Sequence, residues 1–354
     1  MTHRTLGRLG LLCGLLAGIW SASTASAQDP VFSQHTAAPV YTNPALAGLF
    51  EGDLRVVANY REQWGAPLGG QPLRTMAASG EMRFEMGGRD YFAVAANVLQ
   101  DEGGQSAFTV TRAGLGMAVQ KYLDGGRGRD ATYLGFGARA GYGQHRLSDD
   151  GLWFSSDFDS TSLSVTRDGG NLPPGFTGAT RGYLDVSGGV NLSVVRRDYS
   201  VFAGVAAHHL NRPNVSFLYD QRTTLATRFS AMLGGEWLLR DELRVLPSAT
   251  YQVQGPAHRL TAGASLYYKP DARGDAGFRA GLYGRTARRL DGGSYLESLV
   301  VAGGVEFRRM TVGASYDLNT GAVGRATDGR GAYELSVSWR REGRSRYEVV
   351  CPKF

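Results

Sequence analysis

Cysteine is almost absent: of 354 residues only Cys13 and Cys351 are cysteine, so no disulfide framework can be built from this chain. Proline is sparse too, at 12, and no Gly-X-Y period runs through the 50 glycines, which excludes a collagen-like chain. Beyond residue 27 there is no apolar run of the ~20 residues that a membrane-spanning helix needs. A strong charge imbalance is also lacking. The formal net charge is +6, part of it from Arg4 and Arg8, and the rest is scattered without a basic patch carrying aromatics, which argues against nucleic acid. Catalytic signatures are missing: there is no Gly-x-Ser-x-Gly elbow, His-Glu-x-x-His pair or phosphate-cradling Gly-rich motif. No enzyme activity, cofactor or small-molecule substrate is therefore expected.

The remaining candidates for chemistry have the wrong spacing. His208 and His209 are adjacent, so in a strand they point to opposite faces and cannot share a metal ion. Asp149, Asp150, Asp157 and Asp159 cluster but lack the alternate-position register closed by a glutamate that a calcium loop uses, which leaves a solvated acidic loop. No metal site is expected.

What is present begins with an export signal. Arg4 and Arg8 precede an apolar stretch, Leu9 to Ile19, too short to span a bilayer, and Ala25-Ser26-Ala27 offers a small-residue cleavage site. Cleavage there discards Cys13 and leaves Cys351. An exported chain without spanning helices still reaches a membrane if it closes into a β-barrel, whose strands carry a weak hydropathy signal.

Alternation supports that class. Tyr333, Leu335, Val337 and Trp339 alternate with Glu334, Ser336 and Ser338, giving a strand one apolar face with aromatics at both ends. Leu184, Val186, Val190, Leu192 and Val194 do the same against Asp185, Ser187, Asn191 and Ser193. Leu134 to Tyr142 alternates with Gly135, Gly137, Arg139 and Gly141, and inward glycines suit a crowded barrel interior. Phe108 to Tyr122 loses its parity near Arg112, where a bulge or a different strand boundary is expected. About fourteen such stretches lie between Leu54 and Arg340, most near or above the ~9 to 11 residues of a tilted transmembrane strand. The expected fold is all-β, a transmembrane antiparallel β-barrel of about 14 strands. Its inward face would carry Arg55, Arg139, Arg228, Arg244 and Arg279 beside Glu81, Asp185, Glu236, Glu306, Asp317 and Glu334, mixed signs that suit ion pairs in the lumen better than a selective pore.

Connection lengths fit the same reading. Arg196-Arg197, Arg240-Asp241 and Arg308-Arg309 are short, whereas Gln144 to Gly182, Leu210 to Thr224 and Leu318 to Ala332 are long, with Gly255-Pro256-Ala257 a short exception among the latter, and barrels of this type have short periplasmic turns and long outer loops. An even strand count returns the chain to the side it left. The expected organisation is a signal peptide at 1–27, a periplasmic N-terminal segment at 28–53, the barrel at 54–340 and a periplasmic tail at 341–354. Pro30, Pro39 and Pro44 interrupt the N-terminal segment, so Phe32 and Tyr41 cannot bury themselves in a core of its own. They need the barrel mouth or a partner. Arg344 and Arg346 make the tail basic, which suits either an acidic partner surface or a solvated tail.

The ends of the chain carry a family resemblance. Gln28-Asp29-Pro30-Val31-Phe32-Ser33-Gln34, Asn43-Pro44-Ala45-Leu46-Ala47-Gly48 and Tyr60-Arg61-Glu62-Gln63-Trp64 resemble the opening of the PorP/SprF family. Ser315-Tyr316-Asp317-Leu318-Asn319, Gly331-Ala332-Tyr333-Glu334-Leu335-Ser336 and Cys351-Pro352-Lys353-Phe354 resemble its close. Residues 144–182 carry no motif of it. The resemblance implies an outer-membrane barrel of the type IX secretion system of Bacteroidetes-like bacteria, serving protein export, surface attachment and gliding motility. Its expected partners are outer-membrane lipid and the periplasmic and outer-membrane proteins of that apparatus, with a diffusion porin or transporter as the alternative. Asp29, Phe32, Tyr41, Asn43, Pro44, Arg344 and Arg346 are the candidate docking residues.

Overall fold

The computed structural model describes residues 29–65, 71–104, 107–125, 130–148, 158–159, 161–162, 164–165, 174–271, 274–288 and 292–343. The signal segment, Asp149, Asp150, Asp157, Arg344, Arg346 and Cys351 lie outside the described residues. Fourteen strands form the wall: β1 (Leu54–Gln63), β2 (Leu73–Gly87), β3 (Asp90–Gly103), β4 (Phe108–Asp124), β5 (Ala131–Arg146), β6 (Tyr183–Val195), β7 (Tyr199–His208), β8 (Arg228–Arg240), β9 (Leu243–Gln254), β10 (Ala257–Tyr268), β11 (Ala276–Arg288), β12 (Ser294–Phe307), β13 (Met310–Asn319) and β14 (Arg330–Arg341). Each pairs with its chain neighbours, and β1 pairs β14 antiparallel from Leu54↔Arg341 to Gln63↔Ala332, which closes the barrel. Closure satisfies every strand edge, as a bilayer requires.

The parity read from the sequence is the parity of the wall. Along β14, Tyr333, Leu335, Val337 and Trp339 face outward while Glu334 and Ser336 are buried. Every wall strand contributes at least one large exposed apolar group, among them Leu115, Leu184, Leu233, Leu282 and Leu335. An apolar exterior of that extent is far beyond what a soluble monomer exposes, and lipid is the solvent that covers it. Exposed aromatics form two levels, with Tyr142, Tyr251, Tyr316 and Tyr333 toward one rim and Tyr199, Trp237, Tyr268, Phe307 and Trp339 toward the other. These are the girdles of the two bilayer interfaces. No helix among the described residues is long and apolar enough to cross a membrane.

Two local expectations are corrected. The ladders of β4 run unbroken through Leu99↔Arg112 and Arg112↔Gly143, so there is no bulge at Arg112; the register shift lies between Tyr122 and Asp124. Parity looked lost because Val110 and Ala118 face inward although they are apolar. Ala118 packs there against Val40 and Ala47. His208 and His209 do not point to opposite faces. β7 ends at His208, His209 takes the left-handed conformation at φ 58°, and both rings are buried inside the barrel.

One rim carries the short connections, including 88–89, 196–198, 241–242 and 308–309, and the other carries 147–182, 209–227 and 320–329. At the short-turn rim Arg341 grips Asp53 through one guanidinium edge, Nε at 2.8 Å and Nη2 at 3.0 Å, fastening the point where the N-terminal segment becomes β1. Those hydrogen bonds hold the Asp53 carboxyl below its usual range.

Candidate functional site

Residues 29–53 do not hang from a rim, as the sequence led one to expect for a periplasmic segment: they lie inside the barrel. Their proline spacing breaks them into single turns, His35–Ala37, Pro39–Thr42 and Pro44–Leu46, too short to satisfy their own backbone. Inward side chains of the wall supply the missing partners. From its fastening at Asp53 the segment runs through the lumen to Asp29, which lies toward the rim with the long connections.

Near the short-turn rim Glu81 is buried and paired with Arg55 at 2.9 Å, and it accepts from the Gly48 N–H at 3.1 Å. Arg83 donates to the Phe50 carbonyl at 2.7 Å, and the Arg55 guanidinium sits over the Phe50 ring. Midway, the Asn43 side chain accepts from the Ala45 N–H and donates to the carbonyls of Val190 at 3.2 Å and Val205 at 3.4 Å on β6 and β7. The wall is thinned to admit this turn. A Cβ on Gly137 would stand 2.4 Å from the Ala45 nitrogen, and one on Gly189 would stand 2.1 Å from the Asn43 amide oxygen. Gln120 donates to the Ala45 carbonyl at 2.7 Å, while His208 and Ser230 reach the Thr42 carbonyl.

Two ionic clusters hold the outer half of the segment. Asp29, 5% exposed, meets Arg112 at 2.7 Å, His209 at 2.8 Å and Arg228 at 3.2 Å, and its N–H donates to Gln254 at 2.8 Å. His209 bridges onward to Asp185 at 2.7 Å, which Arg139 also pairs. Tyr41 stacks its ring under the Arg228 guanidinium and meets Phe32 edge-on at 5.5 Å. The second cluster straddles the closing seam. Glu334 of β14 accepts from the Ser33 N–H at 2.6 Å, the Gln34 N–H at 3.0 Å, Asn59 at 2.9 Å and Arg61 at 3.3 Å. Asp317 takes Arg61 and Arg285, both at 2.7 Å, and accepts from the Ser33 hydroxyl, which itself accepts from both arginines. Buried charges persist when they are paired and hydrogen-bonded, and these are.

This second cluster divides the space that the segment leaves. A cavity of about 180 Å³ lies on its short-turn side, lined by Gln34, Arg279, Gly304 and Ser336 among others. Another of about 180 Å³ lies beyond it, lined by Asp29, Trp64, Asp101 and Arg259.

Five of the expected site residues, Asp29, Phe32, Tyr41, Asn43 and Pro44, are thus brought together, but on a lumen plug whose partners are wall residues of the same chain. Arg344 and Arg346 fall outside the described residues. The sequence had flagged Arg139, Arg228, Asp317 and Glu334 as inward-facing but not what they face, and it missed Arg112, His209, Gln120 and Ser33 as members of the site. One signal was available. Gly137, Gly189 and Gly204 share the inward parity of three neighbouring strands, a hollow that only an inserted backbone would need.

The family described as type IX secretion system membrane protein PorP/SprF matches residues 24–339. The chain belongs to the PorP/SprF family. It is therefore an outer-membrane β-barrel component of the type IX secretion system, a non-enzymatic kind of protein, and the resemblance is borne out from Gln28 through Ser336, the Cys351–Phe354 motif lying beyond the matched residues. No curated protein matches the chain. Among solved structures, the Pseudomonas putida toluene transporter TodX is 12% identical over 89% of this chain and 95% of its own, with a TM-score of 0.48. A Pseudomonas aeruginosa FadL homologue is 12% identical over 85% and 93%, at 0.48. The Ralstonia pickettii toluene transporter TbuX is 14% identical over 85% and 91%, at 0.45. Likeness at that level carries nothing about what this PorP/SprF barrel binds.

Proposed function

We propose that this PorP/SprF barrel is a sealed anchor, which holds its place in the outer membrane by its apolar exterior and serves the secretion and motility apparatus through its rims rather than through its lumen. The observation that carries this is the N-terminal segment, which threads the barrel and is fixed along its length by Glu81, Asn43, Glu334 and Asp29. An open diffusion pore would not bury its own leader in ion pairs. The short-turn rim, where β14 ends at Arg341, faces the periplasm, and Arg344 and Arg346 beyond it dock partners. The leader residues first considered for docking act instead by keeping the lumen shut.

The test is conductance. Purified barrel in planar bilayers should be silent, and a variant lacking residues 29–47 should conduct. A conducting wild type would favour the diffusion porin. Docking is tested separately: removing residues 344–354 should leave the barrel inserted and reduce the envelope proteins that co-purify with it, and unchanged co-purification would remove the tail from the proposal.

A further inference from the structure

We propose that the cavity on the short-turn side of the lumen is a binding site for a carboxylate, with Arg279 as its anchor. The argument starts from charge. Each of the other wall arginines flagged as inward-facing has a carboxylate: Arg55 has Glu81, Arg139 has Asp185, Arg228 has Asp29 and Arg244 has Glu236. Arg279 faces the same lumen from β11 and has no carboxylate or hydrogen-bond partner among the described residues. Glu306, which lines the same cavity, is engaged by Arg340 and by the Tyr267 hydroxyl at 3.0 Å. An inward guanidinium left over from an otherwise paired lumen is the feature that a ligand of opposite charge would complete.

Shape gives the second half of the argument. Arg279 stands in register with Gly304 of β12, and Gly277 and Gly313 also line the cavity, so small residues leave the guanidinium room that side chains fill elsewhere in the barrel. At about 180 Å³ the space holds on the order of ten water-sized groups. It reaches the rim at Glu51, Thr311 and Arg340, so a ligand can enter from that side. Leu49, Phe50 and Val57 offer an apolar flank away from Arg279, and the Gln34 amide, which spends one N–H on the Glu334 carbonyl, has a second to donate. The ligand class is a carboxylate on a short apolar body, and a planar guanidinium takes it through two parallel hydrogen bonds. A free small carboxylate and the C-terminal residue of a peptide both present this chemistry. The site stands on lumen geometry alone and holds whether or not the tail docks partners.

Calorimetry on the full-length barrel in detergent tests it with three probes: butyrate, N-acetyl-trialanine as the free acid, and the same peptide as its amide. The free acids should bind and the amide should not. Tighter binding of the peptide acid than of butyrate assigns the site to a peptide terminus, and the reverse assigns it to a small carboxylate. Arg279→Gln should weaken the acid by roughly tenfold or more. Because Arg279 holds no partner, that variant should keep the wild-type unfolding midpoint, so lost binding cannot be lost fold. Equal binding of acid and amide, unchanged affinity in Arg279→Gln, or no binding of any probe at millimolar concentration overturns the proposal.

Discussion

Replacing Glu334 by alanine tests the plug where the barrel closes. The carboxylate is fully buried and accepts from two backbone N–H groups of the plug, Ser33 and Gln34, and from Asn59 and Arg61 of β1. Glu334→Ala leaves those donors without their acceptor. Removing one partner of a buried, hydrogen-bonded ion pair costs about 3–5 kcal/mol. Each stranded buried donor adds about 1–3 kcal/mol before relaxation. Arg61 keeps Asp317 at 2.7 Å, which offsets about as much as the stranded donors add, so about 3–5 kcal/mol is the expected total. The control is Glu342→Ala: that side chain is exposed and, among the described residues, pairs with exposed Arg309 alone, at 3.3 Å, a contact expected to matter by less than about 1 kcal/mol. Urea unfolding, followed by heat-modifiable mobility in detergent, should show a lower midpoint for Glu334→Ala alone. Limited proteolysis should then cut within residues 29–50 in that variant and spare them in the wild type. Equal midpoints with equal protection would refute the claim that the plug and the seam are one interaction.

Leu192→Arg, on a position 42% exposed to lipid, should cost roughly 2–4 kcal/mol of barrel stability while leaving the plug protease-resistant. Asn191→Arg, one residue along and fully buried near the Asn43 turn, should instead free the plug; the same unfolding and proteolysis assays on both variants check the pair. Gly137→Val should displace the turn at Ala45 and expose the segment to protease, whereas Gly80→Ala, whose added Cβ meets nothing within 4 Å, should be silent. Cysteines placed at Tyr219 and Arg309 should report the orientation: an impermeant thiol reagent labels the first in intact cells and the second only after the outer membrane is permeabilised, and the opposite order would invert the topology.

The sequence by itself determined the wall. Period-two alternation is a local property of consecutive residues, so Tyr333 to Trp339 or Leu184 to Val194 reveal which side chains face lipid without any partner strand being known. Strand number, the even count and the split between short and long connections follow from the same local pattern, and the family resemblance added what alternation never could. What the lumen holds was decided by tertiary structure. Parity announced that Glu334 and Arg228 face inward, but Glu334 meets Ser33 across 301 positions of chain and Arg228 meets Asp29 only because the wall has curled around the leader. The misreadings have that same origin. Ala118 broke the pattern near Arg112 because its inward neighbour is the apolar Val40, and His209 joined His208 inside because the chain turns there to reach Asp29. A strand's own residues fix its two faces, whereas the identity of what fills a closed barrel depends on contacts that exist only once the barrel has closed.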